Sequence, residues 1–355
     1  MHKLFQFDKS KSFSIDEIKV HKKTLLLEED FDLINENEIN TELSGIDASK
    51  ELDQINKIGS IKWHLYHLKN AYLIIYPGLD GIIFFKENIY LKNQLNFFRK
   101  PIFNHLIHSA LTGQLKIKNL DKVFIPMDAG WNNYYHFLIS CIIKMKLFNQ
   151  KSGFWKPKIG MPDPENFKDV QNINPAFSNK RKHEILNTFS IDPHSILSLK
   201  TGIYKVSNLY TIHSNIKQLR LFTFSKYLRS LFENVETKET KLDNSFQNIF
   251  LSRSQSKNAR PLDQYEQQIY EENHPGFKQV IMDKLSFHEQ INLFRNAQNI
   301  AGFHGAALTN LLFSNNNIKS VWEYMSDTKK GEDPRLHFHN IAVSKKIAYN
   351  GKYIR

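Results

Sequence analysis

Residues 285–313 read LSFHEQINLFRNAQNIAGFHGAALTNLLF. Ser286 followed by Glu289 is a capping-box pattern, in which each side chain satisfies an otherwise unpaired backbone N–H at a helix start. Phe287, Ile291 and Phe294 fall on one helical face, so the spacing predicts a helix over 286–297. The apolar stretch 299–302 then reads as a strand, 306–313 as a short helix and 320–324 as the next strand. Upstream, 248–251 reads as a strand, 262–272 as a helix and 279–282 as a strand. Strands and helices alternate, and that order implies a parallel sheet with right-handed crossovers.

Working back towards the start, 233–246 is polar and reads as a linker or surface loop. Before it, Leu221, Phe224, Leu228 and Leu231 keep helical spacing, with Lys217, Arg220, Lys226 and Arg229 as the polar face. Strands are expected near 204–212 and a helix near 183–189, while 150–180 reads as loops around a short strand at 158–161. KVFIPM at 122–127 is an apolar run that ends at Asp128-Ala129-Gly130 and is followed by a helix over 134–148. Either Asn132 or Asn133 can cap that helix, by accepting a backbone N–H at its start. The runs 71–76 and 82–85, separated by Pro77-Gly78 and Asp80-Gly81, read as a β-hairpin, and 24–27 as a strand. This gives an α/β chain of two domains: 1–212, including a β-rich lead-in, and 213–355. At about 150 residues per domain, 355 residues suit that count.

The chain carries 48 Lys and Arg against 36 Asp and Glu, a net charge of +12. Such a balance favours an acidic partner. The basic residues are scattered, with no arginine-rich arm, zinc-finger spacing or RNA-binding aromatic signature, so nucleic acid is not expected as the partner. A single cysteine, Cys141, excludes an intramolecular disulfide and sits in an apolar run as a small hydrophobe. The opening MHKLFQFDKSKS lacks a signal peptide's apolar stretch, and the best apolar run is interrupted by Lys144 and Lys146. A cytoplasmic protein is expected, including one resting on the cytoplasmic face of the inner membrane.

Three strand-to-helix loops carry the chemistry. In GFHGAALTN (302–310), the small residues Gly305, Ala306 and Ala307 let a ligand approach the backbone where free N–H groups and the helix dipole favour an anion. His304 adds a hydrogen bond or a charge. Taken alone, this loop also reads as a tight turn with a packing histidine. In LSRSQSKNAR (251–260), Arg253, Lys257 and Arg260 can surround a diphosphate. Both loops follow strands of one sheet, so they can converge. In DAGWNNYYHFL (128–138), His136 at a helix start can act as a general base near neutral pH, with Asp128 as the rival base or its orienting group. Asn133, Tyr134 and Tyr135 stand on the same loop, and Trp131, Tyr134 and Tyr135 read either as a sugar-stacking platform or as core. No Walker loop, GxGxxG or GxSxG motif is present. His337 and His339 alternate as in a strand, and neither they nor His64 and His67 have zinc-like partners. No compelling Asp-x-Asp motif for a metal-bound nucleotide sugar is present.

NYYHFLI (133–139), FLSRS (250–254), 285–313 and VWEY (321–324) together resemble glycosyltransferase family 61, the DUF563 proteins. The resemblance covers about 122–324. It departs at Phe303, where proline commonly precedes the histidine, and at Ser254, where a second arginine is common. It implies a GT-B fold: two Rossmann-like domains facing across a cleft, and inversion at the anomeric carbon without an essential metal or other cofactor. It alone favours UDP as the carrier and places the chain with bacterial enzymes of capsule or lipopolysaccharide assembly. The expected partners are then a nucleotide sugar and a glycan or lipid-linked glycan acceptor. In this reading Arg253, Lys257, His304, Gly305 and Ala306 hold the donor diphosphate, Glu323 at a strand end meets the ribose, and His136 or Asp128 deprotonates the acceptor. A catalytically inactive glycan-binding or assembly protein of the same fold is the alternative.

Overall fold

A computed structural model describes residues 12–13, 20–31, 41–43, 49–75, 82–85, 88–90, 105, 108–110, 112–127, 131–151, 157–163, 179–216, 218–237, 244–253, 261–326 and 336–354. Contacts gather the chain into two units: Met1–Glu28 with Lys62–Lys217, and Glu29–Ile61 with Gln218–Arg355. Each is an α/β structure built on its own sheet.

In the C-terminal unit, every described pairing is parallel. The strand order is Lys278–Val280, Asn248–Leu251, Asn299–Phe303, Ser320–Ser326, Ala348–Ile354 and Thr41–Leu43. The register sets Phe250, Ala301, Trp322 and Asn350 level with one another, and Leu251, Gly302, Glu323 and Gly351 one step further on. Successive side chains of a strand point to opposite faces, so these two rows face opposite ways. The first face, with Phe303 and Tyr324, packs on Ile269 of helix Glu266–Asn273. On the second face Tyr349 lies 5.3 Å from His339 of helix His337–Ser344, ring to ring. Gly302 is there because the neighbouring strand comes close: a Cβ on it would stand 2.9 Å from the Leu251 Cβ.

Helix Phe287–Asn296 begins as its sequence dictates. The Ser286 side chain accepts the Glu289 N–H, and the Glu289 carboxylate accepts the Ser286 N–H at 2.7 Å. Two other expectations change. The amphipathic run through 221–231 is not one helix: Leu219–Phe224 is a 3₁₀ segment, Ser225 is extended, and helix Lys226–Glu233 starts after it. Ser225 caps Leu228 N–H at 3.0 Å, and Glu29 accepts from the Ser225 hydroxyl and, at 2.9 Å, from Tyr227 N–H. A carboxylate at a helix start is favourable, so the break is stabilised from outside the segment. The short helix expected at 306–313 is present, as the 3₁₀ segment Ala306–Phe313. His337 and His339 lie on a helix, not a strand, because 338–343 are buried all round it and helical periodicity leaves no polar stripe to read.

The N-terminal unit holds a mixed sheet. Ser60–Ile75 runs antiparallel to both Ile82–Phe85 and Gly202–Ser214, which includes the expected hairpin. Gly202–Ser214, Lys118–Ile125, Lys158–Pro162 and Ile196–Leu199 follow in parallel. From Tyr134 to Lys151 the chain is helical, but Phe137–Ile142 is a π-helical stretch whose six side chains are all buried. Such a stretch inserts a wider turn into a helix and re-aims its side chains. Among the described residues, no helix is long and apolar enough to cross a membrane.

Candidate functional site

Ligands of open parallel sheets bind beyond the carboxyl ends of the strands. In the C-terminal unit, Arg253 follows strand Asn248–Leu251 by two residues and His304 follows Asn299–Phe303 directly. The structure brings these loops together. A Cβ on Gly305 would stand 3.3 Å from the Arg253 Nη1, so the guanidinium lies against the glycine backbone. Arg253 is held in place from behind. Its Nε donates to Asp263 at 2.9 Å, its backbone N–H donates to Glu266 at 2.8 Å, and Ser252 donates to the other Glu266 oxygen at 2.5 Å. Glu266 is buried, so two donors compensate its charge where water does not.

His304 is fixed as firmly. Its backbone N–H donates to Tyr324 O at 2.8 Å, and its Nδ1 faces Glu323 Oε1 at 2.5 Å. The other Glu323 oxygen accepts from the Tyr349 hydroxyl. Glu323, expected at a strand end against a ribose, is the fourth residue of strand Ser320–Ser326, is fully buried, and engages both oxygens inside the protein. Burial and the adjacent carboxylate push the Tyr349 hydroxyl well above its ordinary value, so it stays a neutral donor. A carboxylate on Nδ1 keeps a proton there and leaves Nε2 as the ring's second polar atom. The Phe338 ring packs 5.1 Å from the His304 ring. Gly305 caps Ala306–Phe313, whose first internal bond here is Leu308 N–H to Gly305 O at 3.1 Å. The N–H groups of Ala306 and Ala307 precede that bond and have no acceptor within the segment. Arginine, histidine and backbone donors thus meet at one sheet edge, which is the chemistry of an anion cradle. Lys257 and Arg260 lie outside the described residues.

The second candidate site is in the N-terminal unit, after strand Lys118–Ile125. Asp128 lies outside the described residues. Asn133 caps the helix, accepting from Tyr135 N–H at 2.9 Å. Tyr134, Tyr135 and Trp131 are buried, which places their rings in the core. His136 is half-buried at the end of the first helical turn, its ring 5.7 Å from that of Tyr135. Sequence reasoning missed Lys182 of helix Asn179–Thr188. Its Nζ donates to Asn132 Oδ1 at 2.9 Å and stands 4.1 Å from the centre of the Trp131 ring. Burial pulls it down from 10.5 to about 7, against the opposing pull of Cys141 and Asp163. Asp163 directly follows strand Lys158–Pro162, so this cluster also gathers at carboxyl ends of strands. Among the described residues, no group of three His, Cys, Asp or Glu side chains is arranged to hold a metal.

The family model described as Glycosyltransferase 61 matches residues 134–321, more than half of the chain. The chain belongs to glycosyltransferase family 61. The matched span runs from the His136 helix to the strand that carries Glu323, and it includes Arg253, His304 and Gly305. Membership in family 61 makes glycosyl transfer the activity class. No curated protein matches the sequence.

Proposed function

We propose that this family 61 protein transfers a sugar from a nucleoside-diphosphate sugar, UDP-linked, to a hydroxyl of a bacterial surface glycan, with inversion and without a metal. The observation that carries the reading is the meeting of Arg253, Gly305 and His304 at one sheet edge, with His304 backed by a buried glutamate. The donor diphosphate lies against the N–H groups at Gly305 and Ala306, with Arg253 and His304 Nε2 neutralising charge as the nucleoside diphosphate leaves. Lys257 adds a further cation. Glu323 is a positioning residue that sets the His304 ring, and Tyr349 holds Glu323. His136 takes the proton of the attacking acceptor hydroxyl, with Asp128 as its orienting group or as the base itself. Lys182 positions Asn132 and Trp131 next to that helix start. Each α/β unit serves as one Rossmann-like domain of a GT-B fold.

The test is a thermal-shift screen of the purified protein with UDP, GDP, CMP and TDP, each with a divalent metal and with EDTA. A ligand of the native state raises the melting temperature by mass action. A shift with UDP that survives EDTA is the expected result. No shift with any nucleotide would overturn the donor site and favour a glycan-binding protein.

A further inference from the structure

The face of the C-terminal sheet opposite the His304–Glu323 pair is only partly covered. Ile269 of helix Glu266–Asn273 packs with Phe250, Ala301, Phe303 and Tyr324, and Trp322 and Ile354 pack against them only partly buried. A groove of about 630 Å³ opens there, lined by His274, Phe277, Trp322, Tyr324, Asn350 and Lys352 among others. That volume falls within the ~300–1,000 Å³ range of small-ligand pockets. The register accounts for its floor: Trp322 and Asn350 are paired, as are Tyr324 and Lys352, and all four point to the same face.

The lining is neither a plain apolar patch nor a satisfied polar one. The rings of Phe277 and Trp322 are 5.9 Å apart, and His274 stands 5.4 Å from Trp322, both edge to face. Trp322 is half-buried and Lys352 exposed. His274 is 4% exposed, and its Nε2 meets the Tyr324 hydroxyl at 2.8 Å. Among the described residues, neither side chain makes another hydrogen bond. Burial pulls His274 down to about 4 and pushes Tyr324 up to about 12, so both are neutral near pH 7. Whichever tautomer the ring adopts, Nδ1 is left as a polar atom without a partner. His274 lines the groove and its Nδ1 is not among the fully buried atoms that lack a partner, so that nitrogen is open to a ligand's polar group.

We propose that this groove is a saccharide subsite that takes a carboxylate-bearing sugar of the glycan chain, its apolar ring face on Trp322 and Phe277 and its carboxylate towards Lys352. Aromatic rings offer broad apolar contact to the C–H face of a pyranose, while Asn350, His274 and Lys352 offer hydrogen-bonding groups around its rim. A net charge of +12 draws an acidic chain rather than a neutral one. The choice of a glycan as occupant rests on the glycosyl-transfer reading, whereas the groove and its donors do not.

The experiment is a calorimetric titration of tetragalacturonate and of neutral maltotetraose into the full-length protein, Trp322→Ala and Lys352→Gln, with a UDP thermal shift measured on each. The wild type should bind tetragalacturonate with a Kd of about 1 mM or tighter and prefer it over maltotetraose by about fivefold or more. Trp322→Ala should weaken binding by about tenfold, and Lys352→Gln should erase the preference for the acidic probe. The UDP shift should be the same in all three proteins. Because Lys352 is exposed, its variant keeps the test decisive if Trp322→Ala does not fold. The inference is overturned if the wild type binds neither saccharide, if binding ignores both substitutions, or if Trp322→Ala removes the UDP shift, which would give the groove to the nucleotide. Loss of the UDP shift in the wild type itself would refute the donor site and leave the saccharide result standing.

Discussion

Lys182→Met separates the charge of a buried lysine from its bulk. In the folded protein Lys182 releases its proton at about pH 7, against 10.5 ordinarily. Below pH 7 both folded and unfolded chains hold the proton, and the folded state carries the whole cost of the buried charge. Above 10.5 neither does. Between the two, the unfolded chain binds more protons, so this group makes stability rise with pH. At about 1.4 kcal/mol per pH unit, the full cost approaches ~5 kcal/mol, and about 3 kcal/mol of it should vanish between roughly pH 6.5 and 9.5. Methionine keeps the apolar stem but gives up the Asn132 hydrogen bond and the contact with the Trp131 ring, each worth about 1 kcal/mol. Urea unfolding at several pH values measures both. The stability of the wild type minus that of Lys182→Met should climb by about 3 kcal/mol across that range. A difference that stays flat would show that Lys182 keeps an ordinary proton affinity, and that its burial at the Asn132 loop is not as described.

Gly305→Val should push the Arg253 guanidinium aside, since even the first added carbon stands 3.3 Å from Nη1; UDP affinity measured by calorimetry should fall by about tenfold, or ~1.4 kcal/mol, with the melting temperature little changed. Glu323→Gln keeps the shape but weakens the hold on His304 Nδ1, and a charged hydrogen bond of about 2 kcal/mol corresponds to roughly a 30-fold loss in kcat/KM for sugar transfer. Ser286→Ala removes the capping box of helix Phe287–Asn296 and should cost about 1 kcal/mol in urea unfolding while leaving UDP binding unchanged.

What the sequence showed was local. Ser286 and Glu289 are three residues apart and announce their helix. The alternation of strands and helices after Asn248 announces a parallel sheet, and the loops after two of its strands announce where Arg253 and His304 meet. What it hid depends on distant partners. Thr41–Leu43 is a strand only because Ala348–Ile354 offers it an edge. The break at Ser225 is held by Glu29, 196 residues away. Nothing in the sequence singles out Lys182 until Asn132, 50 residues earlier, accepts from it beside the Trp131 ring. Glu323 reads as a carboxylate available to a ligand until Tyr349 closes its second oxygen.

The account stands or falls on UDP binding to the wild type and to Arg253→Gln, titrated by calorimetry in EDTA with unfolding curves run alongside. The wild type should bind UDP, and Arg253→Gln should bind at least about tenfold more weakly while unfolding cooperatively as the wild type does. Equal affinity in the two proteins, or no UDP binding by the wild type, would contradict the phosphate cradle at Arg253, His304 and Gly305.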